Sequence, residues 1–575
     1  MRFRSALPYG ILATFPLVGW LWLTFSRTTF FDPYVYADYF PRFAWAQRAL
    51  ATGHLPLFAS GYAHGFPMYV DHFGLIHPLL LFVLKLFPLF FGYHTLIFFG
   101  FFLGGALAYR CGRAFGLRNL SALFFAFAYS YSGVQIYWGR ELAWAGALIF
   151  FPLVLLLATF LAERAWWWML LGGVLLGATF SIAFVEMAMY ATFLAGAWCL
   201  WHDIRTGVRQ SRLRTTKRFC GMMAIAALIG SPWLVPAFVF VRETNRATGS
   251  SLFVQTSGGG LGIGDVLQSI FPSLAFPFAP FPWLQLSTEG ARLFVGILPF
   301  PFLFPAARKK NKRPYERFFW GVACVALLVL LPFLPFADLF YRIPFLHFFR
   351  FAWKWLFPFL FCITFLAAVG FDQMFFGEGE TTSLRFWRWV RGLAIAGIVA
   401  PLVAWASLLL FRTKLLAVAY ALFANRGFSG TLGRPVAYYH GVIDAAFNAV
   451  VHGISPFLPA MFGALASLGF LVALPWLLQR YTKTYVAIMT LTTLCIALFF
   501  SAVGTSSLVA QSFFSPPPAA AFLEKQEGFF RIAPFVPYLS DYATTYGVRL
   551  DDPLSSADIG KNLLQMNWAF WNGCD

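Results

Sequence analysis

Residues 32–78 read DPYVYADYFPRFAWAQRALATGHLPLFASGYAHGFPMYVDHFGLIHP, the only long polar interruption early in the chain. They follow an apolar segment, 6–26, which carries Arg2 and Arg4 on its other side. The stretch holds three acids (Asp32, Asp38 and Asp71) and four histidines (His54, His64, His72 and His77), in a chain with only 23 acidic residues and nine histidines. Titratable side chains gathered directly after a first apolar segment mark where chemistry should begin. What surrounds them decides the fold.

Outward from that stretch the chain is apolar: 60% of its 575 residues are hydrophobic, 11% are charged, and the mean hydropathy is +0.70. These values lie outside the range of soluble globular domains. Apolar runs of roughly 17 to 25 residues recur to the end, each long enough to cross a bilayer as a helix. A lipid-facing backbone must satisfy its own hydrogen bonds, so the expectation is an all-α polytopic membrane protein. The net charge of +19 comes from Lys and Arg in short clusters between apolar runs, which fits positive-inside topology and not a nucleic-acid groove. The seven cysteines form neither a disulfide framework nor a CxxC metal site. Segment 6–26 lacks a small-residue cleavage signature and reads as a retained signal anchor.

Three basic points set the topology: the N-terminal MRFR, loop 202–218 (HDIRTGVRQSRLRTTKR) and loop 307–317 (ARKKNKRPYER) should all be cytoplasmic. Between the first span and loop 202–218 lie six apolar candidates, 75–91, 93–110, 119–137, 143–162, 166–183 and 185–201. Six crossings would leave the loop outside, so one candidate should not cross. The weakest is 75–91, which carries Pro78, Lys85 and Pro88, and it reads as an interfacial helix on the outer face. Further spans near 219–241, 291–306, 318–336, 351–371, 391–411, 456–478 and 485–505 bring the expectation to about 13 transmembrane helices. The first outer loop is then 27–92, with interfacial helices, and 242–290 and 412–455 are outer loops. The membrane domain covers 1–505. A small extracytoplasmic segment, 506–575, carries SPPPAAA at 515–521, continues with strand and turn material, and reads as shortened relative to its relatives.

Several residues carry candidate chemistry, each beside a plainer reading. Asp38 heads a stretch of helical character ending at Gly53; it is either an i,i+4 ion-pair partner of Arg42 or a general base for an acceptor hydroxyl. Glu141, in WGRELAW, is either an interfacial acid paired with Arg140 or a second acid bracketing the same site from another outer loop. Glu186 sits between two apolar runs and reads as structural. His64, Asp71, His72 and His77 are residue types that suit zinc or manganese, yet their spacing matches no compact site. Hydrogen-bonded interfacial histidines are the main reading there, with a divalent metal the minor alternative and no other cofactor expected. Arg350 and Lys354, in IPFLHFFRFAWKWLF, either snorkel toward headgroups or, with nearby Arg342, hold a lipid-linked phosphate.

The acid after the first span, the long outer loop and the second acid in the next outer loop resemble the GT-C superfamily of membrane glycosyltransferases. Asp38, Gly53, GFPMY and the His77-Pro78 pair are similar to the acid, Ser/Thr-Gly, G-x-x-Y-x-x-x-P progression of its aminoarabinose and mannosyl transferases, with a longer insertion before His77. Within the superfamily the chain resembles the YfhO-type bacterial membrane proteins, through YADYFPRF, GHLP, YSYSG at 129–133, PLV at 152, and PFLHFFRFAWKWLF followed by LAAVGFD. The resemblance implies a GT-C-like fold in the bacterial cytoplasmic membrane with its site facing outside. It implies inverting transfer of a sugar from a polyprenyl-phosphate donor to a lipid, glycan or polymer acceptor of the cell envelope. Asp38 matches the family's catalytic acid and Glu141 its second-loop acid, where an Asp is usual; Arg350, Lys354 and Arg342 would bind the donor phosphate. Arg42, Asp71, His72 and His77 are further candidates. The alternative is a transporter or flippase of lipid-linked sugars that binds with the same residues. Partners are then the lipid-linked donor, the acceptor and membrane lipids, with no nucleic acid.

Overall fold

Apolar runs become helices here because lipid offers no other partner for backbone N–H and C=O groups. The computed structural model describes residues 2–30, 40–58, 68, 77–163, 166–180, 185–206, 213–242, 296–308, 314–331, 352–377, 384–425, 436–505 and 508–511. Its first part contains α1 (Arg2–Ser26), β1 (Thr28–Phe30), α2 (Phe40–Ala51), α3 (Pro78–Leu86), α4 (Leu89–Ala114), α5 (Asn119–Ser130), α6 (Gly133–Trp138), α7 (Leu142–Glu163), α8 (Trp167–Thr179), α9 (Val185–Thr206) and α10 (Arg214–Arg242). Then come α11 (Pro299–Arg308), α12 (Pro314–Leu330), a 3₁₀ turn (Ala352–Trp355) and α13 (Leu356–Phe376). The chain continues through α14 (Leu384–Leu410), α15 (Arg412–Asn425), α16 (Val436–Gly453), α17 (Pro459–Arg480), α18 (Lys483–Thr505) and β2 (Leu508–Ala510).

The protein is a multi-pass membrane protein. Eight helices among the described residues are long and apolar enough to cross a bilayer: in α1, α4, α7, α10, α13, α14, α17 and α18. Several other expected spans are shorter than their apolar runs. The run 119–137 is interrupted: α5 has 12 residues, a rise of about 18 Å against a hydrocarbon core of about 30 Å. The chain then turns extended at Ser132, whose hydroxyl donates to the Tyr129 carbonyl at 3.1 Å, before α6 begins. Such a break survives at membrane depth because protein covers it; Tyr131 and Ser132 are both buried. Within the expected spans 166–183 and 291–306, α8 has 13 residues and α11 has 10.

Within 75–91, α3 has only nine residues, about 13.5 Å long. Its start is fixed by Pro78 at the first turn and by His77 as N-cap, whose Nδ1 accepts the Leu79 N–H at 3.2 Å. Its end is fixed by Pro88, which holds Phe87 extended at φ −121° and ψ 151°. The stretch 412–455, expected as a loop, contains α15 and α16. These helices are joined by Tyr420 donating to Asp444 at 2.6 Å, by Tyr420 stacked 4.1 Å from His440, and by Arg412 donating to Asn448 at 3.3 Å. A two-stranded antiparallel ribbon, Thr28↔Ala510 to Phe30↔Leu508, was not foreseen; it ties the end of the first helix to the end of the last.

The core is built on α5 and α13. Every residue of α5 from Ser121 to Ser130 is buried, and so is every residue of α13 from Leu356 to Phe371 except Phe359. Helices apolar all round belong inside a bundle. By contrast α14 is only 11% buried over its span, against 83% for residues 352–376, and belongs to the lipid-facing periphery. The sequence LAAVGFD earns its place residue by residue. A Cβ on Gly370 would lie 1.7 Å from the Phe302 carbonyl oxygen, so only glycine lets α13 approach α11 this closely. Phe371 stacks on Phe124 of α5 at 4.7 Å. Asp372 accepts from the Ser121 hydroxyl at 2.6 Å and the Arg118 N–H at 3.1 Å, so one helix caps the positive end of another.

Candidate functional site

At one end of the bundle the described residues gather buried charge. Arg42 on α2, Arg140 and Glu141 in the turn after α6, Glu186 on α9 and Lys354 in the 3₁₀ turn are each no more than 6% exposed. Ionisable groups at such depth need partners, and several are visible. Lys354 forms a buried ion pair and hydrogen bond with Glu186, which lies 168 residues away in sequence. On either side of Lys354, Trp353 stacks on Trp138 at 4.9 Å and 9°, and Trp355 packs on Tyr190 at 5.0 Å. Two tryptophans thus clamp the lysine between α6 and α9. The second Glu186 oxygen has no hydrogen-bond partner among the described residues, nor does the Gln135 amide. Buried polar atoms left open in this way are costly and concentrate where a further group is meant to enter.

The turn holding Arg140 and Glu141 is pinned to α4. A Cβ on Gly139 would meet the Gln135 carbonyl at 2.4 Å and the Phe101 ring at 2.6 Å, which keeps the turn tight. The Tyr93 hydroxyl donates to the Arg140 carbonyl, and the Glu141 N–H donates to the Trp138 carbonyl at 2.9 Å. The Arg140 guanidinium lies 5.0 Å from the Tyr137 ring centroid and 5.9 Å from that of Phe30. Phe30 is the last residue of β1, and Thr29 beside it hydrogen-bonds His94 Nε2 at 3.0 Å. On the far side of the segment 31–39, Phe40 packs 4.8 Å from Tyr93 and 5.0 Å from Phe90. Both flanks of that segment are therefore anchored on the Tyr93–Arg140 pair. Gln47 holds α2 in place by donating to the Leu84 and Phe87 carbonyls, each at 2.8 Å.

Of the residues singled out from sequence, Glu141, Lys354 and Arg42 come to this end, all buried. Lys354 does not project into open solvent at a helix mouth; it lies inside, against Glu186. His77 is half-buried and binds two backbone groups: its Nε2 donates to the Ala178 carbonyl at 2.9 Å and its Nδ1 accepts from Leu79. Burial pushes the His77 imidazole below the ordinary histidine range, with the Ala178 bond acting weakly the other way. Asp38, Asp71, His72, Arg342 and Arg350 lie outside the described residues. Among the described residues no cluster of three or more His, Cys, Asp or Glu side chains is arranged to hold a metal ion. The Glu186–Lys354 pair and the Trp138–Trp353 stack escaped the sequence reading. The available signal was two isolated charges inside apolar surroundings, which the cost of intramembrane charge obliges to find partners.

The other end is basic and more open. Arg110, Arg113, Arg118 and Arg205 are exposed there. Asp203 caps α10 by accepting from the Thr215 N–H at 3.2 Å, the Thr216 N–H at 2.8 Å and the Thr216 hydroxyl at 2.9 Å. Burial alone would raise the Asp203 carboxyl, but these donors outweigh it and hold the group below the ordinary carboxylate range.

No family model matches the chain, and no curated protein does either. Among solved structures, the chain is similar to ArnT from Cupriavidus metallidurans bound to undecaprenyl phosphate, with a TM-score of 0.48 and 15% identity over 97% of this chain and 88% of that one. It is also similar to ArnT from the same organism in the apo state, with a TM-score of 0.44 and 14% identity over 89% of this chain and 80% of that one.

Proposed function

We propose that the protein is an inverting GT-C-type glycosyltransferase, most like the YfhO-type proteins, which takes a sugar from a polyprenyl-phosphate carrier and gives it to a cell-envelope acceptor at the outer face of the bacterial cytoplasmic membrane. The observation that carries this reading is the convergence of Arg42, Arg140, Glu141, Glu186 and Lys354, all buried, at the end of the bundle where the segment containing Asp38 is anchored on both sides. Buried ionisable residues in a membrane protein are expensive and mark a functional site by default. Asp38 precedes by two residues in sequence Phe40, which packs at this end on Tyr93 and Phe90.

In this reading Asp38 takes the proton of the acceptor hydroxyl as its oxygen attacks the anomeric carbon. The bond from that carbon to the phosphate oxygen breaks, and polyprenyl phosphate leaves carrying the negative charge. Arg350 and Arg342 receive that charge, with Lys354 shared between the phosphate and Glu186; guanidinium forks suit phosphate oxygen pairs. Glu141 serves as the second acid, orienting the acceptor. The aromatic walls around the site exclude water, which would otherwise compete as acceptor.

The test is to incubate purified protein with a polyprenyl-phosphate sugar and envelope extracts as acceptors. Free polyprenyl phosphate should appear in step with transferred sugar. Movement of the lipid-linked sugar across reconstituted vesicles with no free polyprenyl phosphate would contradict transfer and identify a flippase.

A further inference from the structure

The basic end contains a cavity of about 380 Å³ that the proposed transfer does not use. It lies where α4, α7, α9 and α12 meet, within the size range of small-molecule sites. Its walls are aromatic: Phe115, Trp198, Trp201 and Tyr315, with Phe115 packed 5.8 Å from Trp198 and 5.4 Å from Tyr315. Two opposite charges stand on its rim. Glu163 ends α7, and Arg205 lies in the last turn of α9 with its guanidinium 4.7 Å from the Trp201 ring. Although both line one cavity, they form no ion pair with each other, and neither makes a side-chain hydrogen bond among the described residues. One rim group seeks an anion and the other a cation.

We propose that this cavity binds the headgroup of a phospholipid bearing both a phosphodiester and a primary ammonium. The phosphodiester accepts from Arg205, and the ammonium donates to Glu163 while resting against the tryptophan faces. A purely anionic headgroup would leave Glu163 unmatched and repelled. A quaternary ammonium would satisfy the rings but has no N–H for the carboxylate. Aromatic residues at a helix end beside basic groups are also the composition of a membrane–water interface, where such a headgroup resides.

The experiment is native mass spectrometry of the full-length protein, delipidated in detergent and then offered chain-matched phosphatidylethanolamine, phosphatidylcholine or phosphatidylglycerol. Phosphatidylethanolamine should be retained roughly tenfold better than either of the others, the scale of one charge-assisted hydrogen bond. Glu163→Gln should abolish that preference, and Arg205→Gln should lower retention of all three lipids. Both residues are exposed, so the variants should keep the wild-type melting temperature. Equal or better retention of phosphatidylglycerol by the wild type, or an unchanged preference in Glu163→Gln, would overturn the assignment. Displacement of the lipid by soluble phosphoethanolamine at equal concentration would likewise overturn it in favour of a free headgroup ligand.

Discussion

The two ends of the bundle handle charge in opposite ways. At one end Arg42, Arg140, Glu141, Glu186 and Lys354 are drawn inside among tryptophans and tyrosines; at the other, Arg110, Arg113, Arg118 and Arg205 remain exposed and Asp203 is spent on capping a helix. Exposed basic residues are what topology requires and cost little to keep. Buried ones carry a desolvation penalty of several kcal/mol per ion; among the described residues five of them gather at the first end, against Glu316 alone at the second, and that imbalance is the reason for proposing chemistry at the first.

The sharpest way to break this contrast is to remove one partner of the buried pair. Glu186→Ala or Lys354→Ala alone should cost about 3 to 5 kcal/mol, because each breaks a buried ion pair by removing one partner. The double variant Glu186→Leu/Lys354→Met should recover most of that stability while losing activity. Unfolding in mixed micelles by SDS titration would measure both; a double variant no more stable than the singles would show that the two residues do not act as a pair.

Carboxylates at the basic end should matter less. Asp203→Ala and Asp372→Ala each remove a helix cap, worth about 0.5 to 2 kcal/mol, and should leave sugar transfer unchanged once the protein is folded. Transfer lost in proportion to neither stability nor expression would blur the division between the two ends.

Acid should loosen the two ends at different pH. The folded His77 pKa is depressed, so the unfolded chain binds its proton first and stability declines as pH falls below about 6.5 toward the folded value. Asp203 is also depressed, but its contribution persists until pH falls below about 3.9 and is lost through the still lower folded value. Hydrogen exchange followed against pH should show the α3 start opening before the α10 start. Simultaneous opening, or the reverse order, would contradict these assignments.

Much of the fold was legible because apolar length and basic clusters are local signals. The end of α3 could be read from Pro88, and the membrane class from composition alone. The break between α5 and α6 was not legible, since YSYSG carries no proline and the interruption depends on burial between other helices. Nor was the helical character of α15 and α16, whose apolar residues are interspersed with the polar partners Arg412, Tyr420, Asp444 and Asn448. In the site, Glu141 and Lys354 could be named as charges out of place. That Lys354 meets Glu186 is a long-range fact, which no spacing within either apolar run encodes.

The proposal that chemistry resides at the buried-charge end is tested most directly by Asp38→Asn, which preserves size and most hydrogen bonding while removing basicity. Sugar transferred per amount of purified protein should fall by roughly 10²–10⁴-fold, with folding and expression intact, while Asp32→Asn, whose Asp-Pro sequence reads as a turn or helix-start pair, stays near wild type. Equal transfer by wild type and Asp38→Asn would contradict the account.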